Sequence, residues 1–162
     1  MSYAISRRGL RTATALGAAA LGLLALSACE KPGPLATATV NSTSVTAEAA
    51  CYDEGRTIPR AEAQKCLGEK ADRTVKVGPG DKLRIGVEPD TAKHGWLVFV
   101  NGQAALPDPV KKTYYSFPGD AFFQQQGADG QSTTKKSAQV SIVETAGGSF
   151  KGVWHFTLRS KS

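Results

Sequence analysis

The residues in this sequence that could perform chemistry are few: two histidines and three cysteines. Neither histidine stands in a familiar catalytic pattern, because there is no GxSxG, HExxH or Ser-x-x-Lys motif and no glycine-rich phosphate loop before a helix. His155 alternates with Trp154 and Phe156, so its side chain is expected to face water from a strand. A zinc site built from His94 and His155 is the alternative. We therefore expect a protein that is not an enzyme and that holds no cofactor or metal.

Cys29 lies where an apolar N-terminal segment meets the rest of the chain. Arg7, Arg8 and Arg11 give this segment a positive start, and no charged residue follows from Thr12 to Ala28. This pattern is typical of a secretory signal peptide. A membrane-spanning helix usually needs about 20 predominantly apolar residues, and this run is shorter and diluted by small side chains. The two adjacent arginines leave open whether export follows the general or the twin-arginine route.

The end of this segment, Leu26-Ser27-Ala28-Cys29, resembles the lipobox of bacterial lipoproteins at every position. The resemblance implies that residues 1–28 are removed and that the Cys29 thiol carries diacylglycerol. Each buried methylene of an acyl chain contributes about 0.8 kcal/mol, so two chains anchor a protein stably. The expected location is the outer face of the cell membrane, with residues 29–34 as a tether of at most about 20 Å. An ordinary cleaved signal peptide, with Cys29 incidental, is the alternative.

Cys51 and Cys66 are the other two cysteines, and export would place them in an oxidising compartment. An even pair there indicates a disulfide, with two free thiols or half of a metal site as alternatives. Their spacing is not CxxC, which argues against redox catalysis. Between them, Pro59 suits a first helical turn, the stretch to Leu67 favours helix, and Gly68 can end it.

The net charge restricts the class of partner. The formal charge is +6, and removing residues 1–28 takes away three arginines and no acidic residue, which leaves +3. Nothing in that balance indicates a nucleic-acid partner. Expected partners are the membrane, through diacylglyceryl Cys29, and an unknown protein or envelope component. Lys111-Lys112 and Lys135-Lys136 on predicted loops either touch anionic headgroups or are simply solvated.

From residue 35 onwards the pattern predicts short antiparallel strands. Trp96–Val100 is a continuous apolar run, typical of a strand covered on both faces, and elsewhere apolar and polar residues alternate. Turn sequences separate these segments, notably Gly78–Asp81, Asn101-Gly102 and Gly147-Gly148. We predict one all-β domain over 35–162, an immunoglobulin-like antiparallel β-sandwich with one short disulfide-tied helix. A small β-barrel is the alternative. The alternating apolar positions are Val75 and Val77; Leu83, Ile85 and Val87; Ala138, Val140 and Ile142; and Trp154, Phe156 and Leu158.

Several features together resemble the small secreted lipoproteins of high-GC actinobacteria, a family of uncharacterised function. They are the lipobox, the paired cysteines flanking a small helix, His94-Gly95-Trp96 and the closing Gly-Val-Trp-x-Phe-x-Leu of residues 152–158. The resemblance covers most of the chain and implies fold and location without an activity. We therefore expect a non-enzymatic surface module that binds an unknown ligand.

The alternative function is a protease inhibitor or a small-ligand-binding lipoprotein. The polar segment Glu88–Trp96, which precedes a buried strand, resembles the binding loop of chagasin-type cysteine-protease inhibitors. A pocket lined by aromatic side chains would favour a small ligand. Tyr114, Tyr115, Phe122 and Phe123 either line such a cleft or belong to the core.

Overall fold

The computed structural model describes residues 33–126 and 130–161, and the chain from Gly33 onwards forms one compact unit. Cys29 and the predicted signal peptide lie outside the described residues. The strands are β1 Leu35–Val40, β2 Thr43–Glu48, β3 Cys51–Tyr52, β4 Thr74–Val77, β5 Lys82–Val87, β6 Trp96–Val100, β7 Gln103–Ala104, β8 Tyr114–Pro118, β9 Gln124–Gln126, β10 Ser132–Thr134, β11 Ser137–Ala146 and β12 Ser149–Ser160. The helices are α1 Arg60–Leu67, α2 Pro89–His94 and a 3₁₀ helix at Gly119–Phe123.

Two sheets of mainly antiparallel strands form the sandwich, and β9 and β10 pair as a separate two-stranded sheet. One has the strand order β2-β1-β5-β8. The other has the order β3-β12-β11-β6-β7, and β4 adds to it as a parallel neighbour of β12. The predicted immunoglobulin-like antiparallel β-sandwich with a disulfide-tied helix is therefore confirmed, and the sheets of the described residues do not close into a barrel.

The main core lies between the two sheets and follows the predicted period of two. On β12, Trp154, Phe156 and Leu158 are at most 1% exposed. Leu83 and Ile85 on β5 are fully buried in the same cluster. Burying one such side chain stabilises a fold by about 1.5–3 kcal/mol, so this cluster sets the register of both sheets. The inward direction predicted for the three β12 residues is confirmed.

The outer face of the larger sheet is partly covered by α1. Cys66 of that helix packs on Val143 and Val153 in a second buried cluster. His155 lies on the same face and is only 4% exposed. The prediction that His155 faces water is therefore wrong. Its side chain does point away from the main core, as the alternation requires, but α1 lies over that face.

The predicted turns are confirmed, and two further helices, α2 and the 3₁₀ helix at Gly119–Phe123, were not predicted. The chain reverses at Asn101-Gly102 and at Gly147-Gly148, where all four residues have positive φ. The interpretation of the polar segment in Glu88–Trp96 as a binding loop is wrong, because α2 occupies Pro89–His94. Six residues are too few to show a helical period, although a proline in the first turn is a usual start signal. None of the helices in this part of the chain is long and apolar enough to cross a membrane.

Candidate functional site

The predicted disulfide between Cys51 and Cys66 is confirmed. It joins β3 to α1, with the two Cα atoms 6.0 Å apart. Neither sulfur is therefore free to bind a metal or to act as a nucleophile. The bond holds α1 against β12, over the face that carries His155.

His155 is held by two hydrogen bonds beneath α1. Its Nε2 donates to the Cys66 carbonyl oxygen at 2.7 Å, and the Ser141 hydroxyl donates to its Nδ1 at 2.9 Å. The tautomer follows from the carbonyl, which can only accept. Burial lowers the pKa of His155, against smaller opposing effects of the Cys66 carbonyl and the Glu69 carboxylate. With both ring nitrogens engaged, His155 fastens the end of α1 and is not placed to act on a ligand.

The stabilising effect of His155 is expected to decrease as the pH falls below about 6.5. The unfolded chain binds a proton with a pKa of about 6.5, whereas the lowered pKa keeps the buried ring neutral. The contribution of His155 to the free energy of unfolding is complete above the pKa that the histidine has in the unfolded chain. It is lost as the pH falls to the pKa of the folded protein, by at most about 1.4 kcal/mol per pH unit. Urea unfolding of the wild type and His155→Gln measures this. The difference in stability between the two proteins should be smaller at acidic pH than at neutral pH. Equal differences at acidic and neutral pH would contradict this expectation.

A second polar cluster forms where α2 connects the two sheets. Glu144 on β11 is 3% exposed and lies at a β-bulge, next to Trp96 on the neighbouring strand. His94 Nδ1 lies 2.5 Å from Glu144 Oε1, and the Thr91 hydroxyl donates to Oε2 at 3.4 Å. A buried carboxylate is tolerated only with such partners. The bulge and α2 therefore bring together two residues that are 50 positions apart in the chain.

The chemistry open to this cluster depends on the outer nitrogen of His94. Nδ1 faces Glu144, so the outer nitrogen is Nε2, and a carboxylate orients catalytic and metal-bound histidines in the same way. The group beside Nε2 is Lys151 Nζ at 3.4 Å, not a hydroxyl or thiol. The described part of the chain contains no group of three or more His, Cys, Asp or Glu side chains that could hold a metal. His94 and His155 have different partners, so the structure does not bring them together.

The four aromatic residues for which a cleft or a core position was left open are divided between core and surface. Phe122 and Phe123 are buried in the main core, whereas Tyr114 and Tyr115 on β8 are 57% and 39% exposed. The helix at Pro89–His94 also removes the extended polar loop on which the likeness to cysteine-protease inhibitors depended. The two lysine pairs are exposed, as predicted for loop residues.

Two surface depressions were not foreseen from the sequence. One, of about 360 Å³, lies above His155 and has a rim of mixed charge. The other, of about 400 Å³, lies on the outer face of the four-stranded sheet above Gly86. One sequence signal did point to the second: Gly86 interrupts the alternating strand Leu83–Val87, and glycine inside a strand often marks a place that a ligand or another backbone approaches. The charged rim of the first consists of Glu48, Glu69, Lys70, Asp72 and Arg73.

Comparison with protein-family models, with curated proteins and with solved structures found no match for this chain. Its function is therefore inferred from its own residues.

Proposed function

We propose that this chain is an exported lipoprotein, anchored through diacylglyceryl Cys29 to the outer face of the cell membrane, whose β-sandwich is a non-enzymatic module that binds an envelope component. The observation that carries the anchoring is the lipobox Leu26–Cys29 at the end of an uncharged apolar segment. The first strand begins at Leu35, directly after the tether of residues 29–34. A tether of that length reaches at most about 20 Å, so a ligand has to lie close to the membrane.

The partners of the two histidines favour a binding role over catalysis. The ring nitrogens of His155 are both engaged inside the fold, and the outer nitrogen of His94 faces an amine. An acyl-transfer or hydrolytic site needs a nucleophile beside an oriented base. The surface depression over Gly86, in contrast, is open to solvent and places several side chains at one face. It is the feature best suited to a partner.

Replacing Cys29 by serine is expected to move the protein from the membrane to the medium, or to leave it unprocessed. A hydroxyl cannot form the thioether, so both acyl chains are lost, and a protein without them has no stable anchor. Detergent phase partitioning of whole-cell extracts, together with palmitate labelling, measures the change. The control is Cys51→Ala/Cys66→Ala, which loses two cysteines but keeps Cys29 and should remain in the detergent phase. If Cys29→Ser partitions like the wild type, the proposed anchor is wrong.

A further inference from the structure

Gly86 lies in the middle of β5, a central strand of the four-stranded sheet, and its residue position faces outward. It lies opposite Thr37 on β1 and Tyr114 on β8. Glycine inside a strand is less favourable than alanine by about 0.5–1 kcal/mol, so its presence needs a reason. Its φ is not in the left-handed region, so backbone conformation does not supply that reason.

Packing within the sheet does not explain the presence of a glycine at position 86 either. A Cβ built at Gly86 would lie 3.7 Å from the Thr113 carbonyl oxygen and 3.9 Å from the Thr37 carbonyl oxygen, which are ordinary contacts. Among the described residues no side-chain atom lies within 4 Å of that point, so the Tyr114 ring does not fill the space above the glycine. Because Gly86 has no side chain, its backbone forms the open floor of the 400 Å³ depression, here called the Gly86 depression.

The Gly86 depression combines an apolar lining, from Leu35, Val87 and Pro89, with a few hydrogen-bonding groups. Thr37 and Thr46 line one side. Glu88 lies at the end, where its Oε1 accepts a hydrogen bond from the Leu35 amide at 3.0 Å. On the other side of Gly86, the exposed ring of Tyr114 lies 5.4 Å from the Arg84 guanidinium carbon, which holds the ring by a cation–π contact.

The next row of paired residues across β1, β5 and β8 on this face carries similar side chains. Arg84 lies opposite Thr39 and Ser116, so the row next to Gly86 again carries hydroxyls around one charged group. By the alternation of β5, the basic residues Lys82 and Arg84 share this face with Glu88, and Glu48 lies opposite Leu35 at its edge. The outer face around the depression therefore carries hydroxyl groups and charges of both signs beside an apolar floor, with the exposed ring of Tyr114 next to it.

We infer that the Gly86 depression binds a neutral polysaccharide chain, with one sugar ring over Gly86 and against Tyr114. A sugar ring has an apolar face of C–H groups that packs on an aromatic ring, and an edge of hydroxyls that both donate and accept hydrogen bonds. Glu88 accepts from such hydroxyls and Arg84 donates to them. This inference rests on the proposed binding role and names the ligand class for it.

A protein partner fits this face less well. Residues that dominate protein–protein binding are enriched in Trp, Tyr and Arg at a desolvated centre, and Ser and Thr are under-represented among them. Here the lining of the depression, among the described residues, contains no Trp, Tyr or Arg, and Tyr114 lies to one side of it. An anionic polymer would meet the carboxylates of Glu48 and Glu88.

The test is retention of the full-length lipoprotein, in a detergent without a sugar headgroup, on beads that carry neutral polymers of glucose, mannose or galactose. Beads that carry a polyuronic acid serve as the comparison. The wild type should be retained by at least one neutral polymer. Gly86→Thr fills the floor with a good strand former, and Tyr114→Ala removes the ring; each should weaken retention at least tenfold, as loss of a central binding group does. Tyr115→Ala, on the same strand but in the row of Ile85, is the matched control and should bind like the wild type.

Urea midpoints separate loss of the site from loss of the fold. Gly86→Thr should unfold at the same or a higher urea concentration than the wild type, because it replaces a strand glycine without a clash. The inference is overturned if no neutral polymer retains the wild type, if only the polyuronic acid does, or if both variants bind as the wild type does. If any of these results is obtained while Cys29→Ser is still lost from the membrane fraction, the proposed carbohydrate ligand is wrong and the proposed anchor stands.

Discussion

Replacing Trp154 by alanine is expected to lower the free energy of unfolding by about 3–5 kcal/mol. The ring is 1% exposed in the main core, and its Nε1 donates to the Pro34 carbonyl oxygen at 2.8 Å. It also lies directly on Gly152, where a Cβ would be only 2.6 Å from a ring carbon, so Gly152 contributes no side chain that could fill the cavity. Domains of this size usually have about 5–15 kcal/mol in total, so the variant should be close to unfolded at 37 °C. Urea unfolding followed by circular dichroism measures the loss.

Two neighbours on β12 serve as graded controls for Trp154→Ala. Arg159 is exposed, and its replacement by alanine should change stability by no more than about 0.5 kcal/mol. His155→Ala should lie between the two, because it leaves the Cys66 carbonyl and the Ser141 hydroxyl buried without their partner, at about 1–3 kcal/mol. Equal midpoints for Trp154→Ala and Arg159→Ala would mean that the register of β12 is wrong.

Removal of the disulfide by Cys51→Ala/Cys66→Ala is expected to lower the free energy of unfolding by about 3 kcal/mol. The crosslink closes a loop with a sequence separation of 15, and its loss increases the entropy of the unfolded chain. The effect on the native state should be local, because α1 is eight residues long and too short to be a stable helix alone. Amide hydrogen exchange should therefore increase first in α1 and on the adjoining part of β12.

The control for the disulfide variant is the wild type with and without a reductant. Reduction should shift the wild type toward the variant and should leave the variant itself unchanged. Intact mass after alkylation should show two added groups in the mature wild type only once it has been reduced. Full labelling without reductant would contradict the disulfide, and an unchanged urea midpoint for the variant would contradict its stabilising role.

The elements that could be predicted from sequence depend on neighbours in the chain. The strands of the main core follow from alternation, since successive side chains point to opposite faces. Asn101-Gly102 and Gly147-Gly148 predicted reversals because Asn and Gly adopt the positive φ that a two-residue hairpin turn requires. The end of α1 at Leu67 agrees with the expectation that Gly68 ends the helix, although Gly68 itself has a φ of -84° and is not in the left-handed region. The disulfide required only that two cysteines be available.

The errors occurred where contacts join distant parts of the chain. His155 was expected in water because alternation gives the direction of a side chain but not what lies over it. The cover comes from Cys66, 89 positions earlier. The likeness of Glu88–Trp96 to an inhibitor loop failed because that segment is helical and His94 pairs with Glu144, 50 positions later. The Gly86 depression likewise needs β1 and β8 beside β5 before it exists.

The sequence by itself determined the layered β architecture, the turns, the crosslink and the inward stripe of β12, because periodicity and turn preference act over a few residues. Only the tertiary structure decided which outward faces are covered and which are open. It buries His155 beneath a helix, buries Glu144 beside another, and leaves the Gly86 row exposed to solvent. The physical reason is that burial depends on packing between elements far apart in the chain, and local preferences do not encode which element packs on which face.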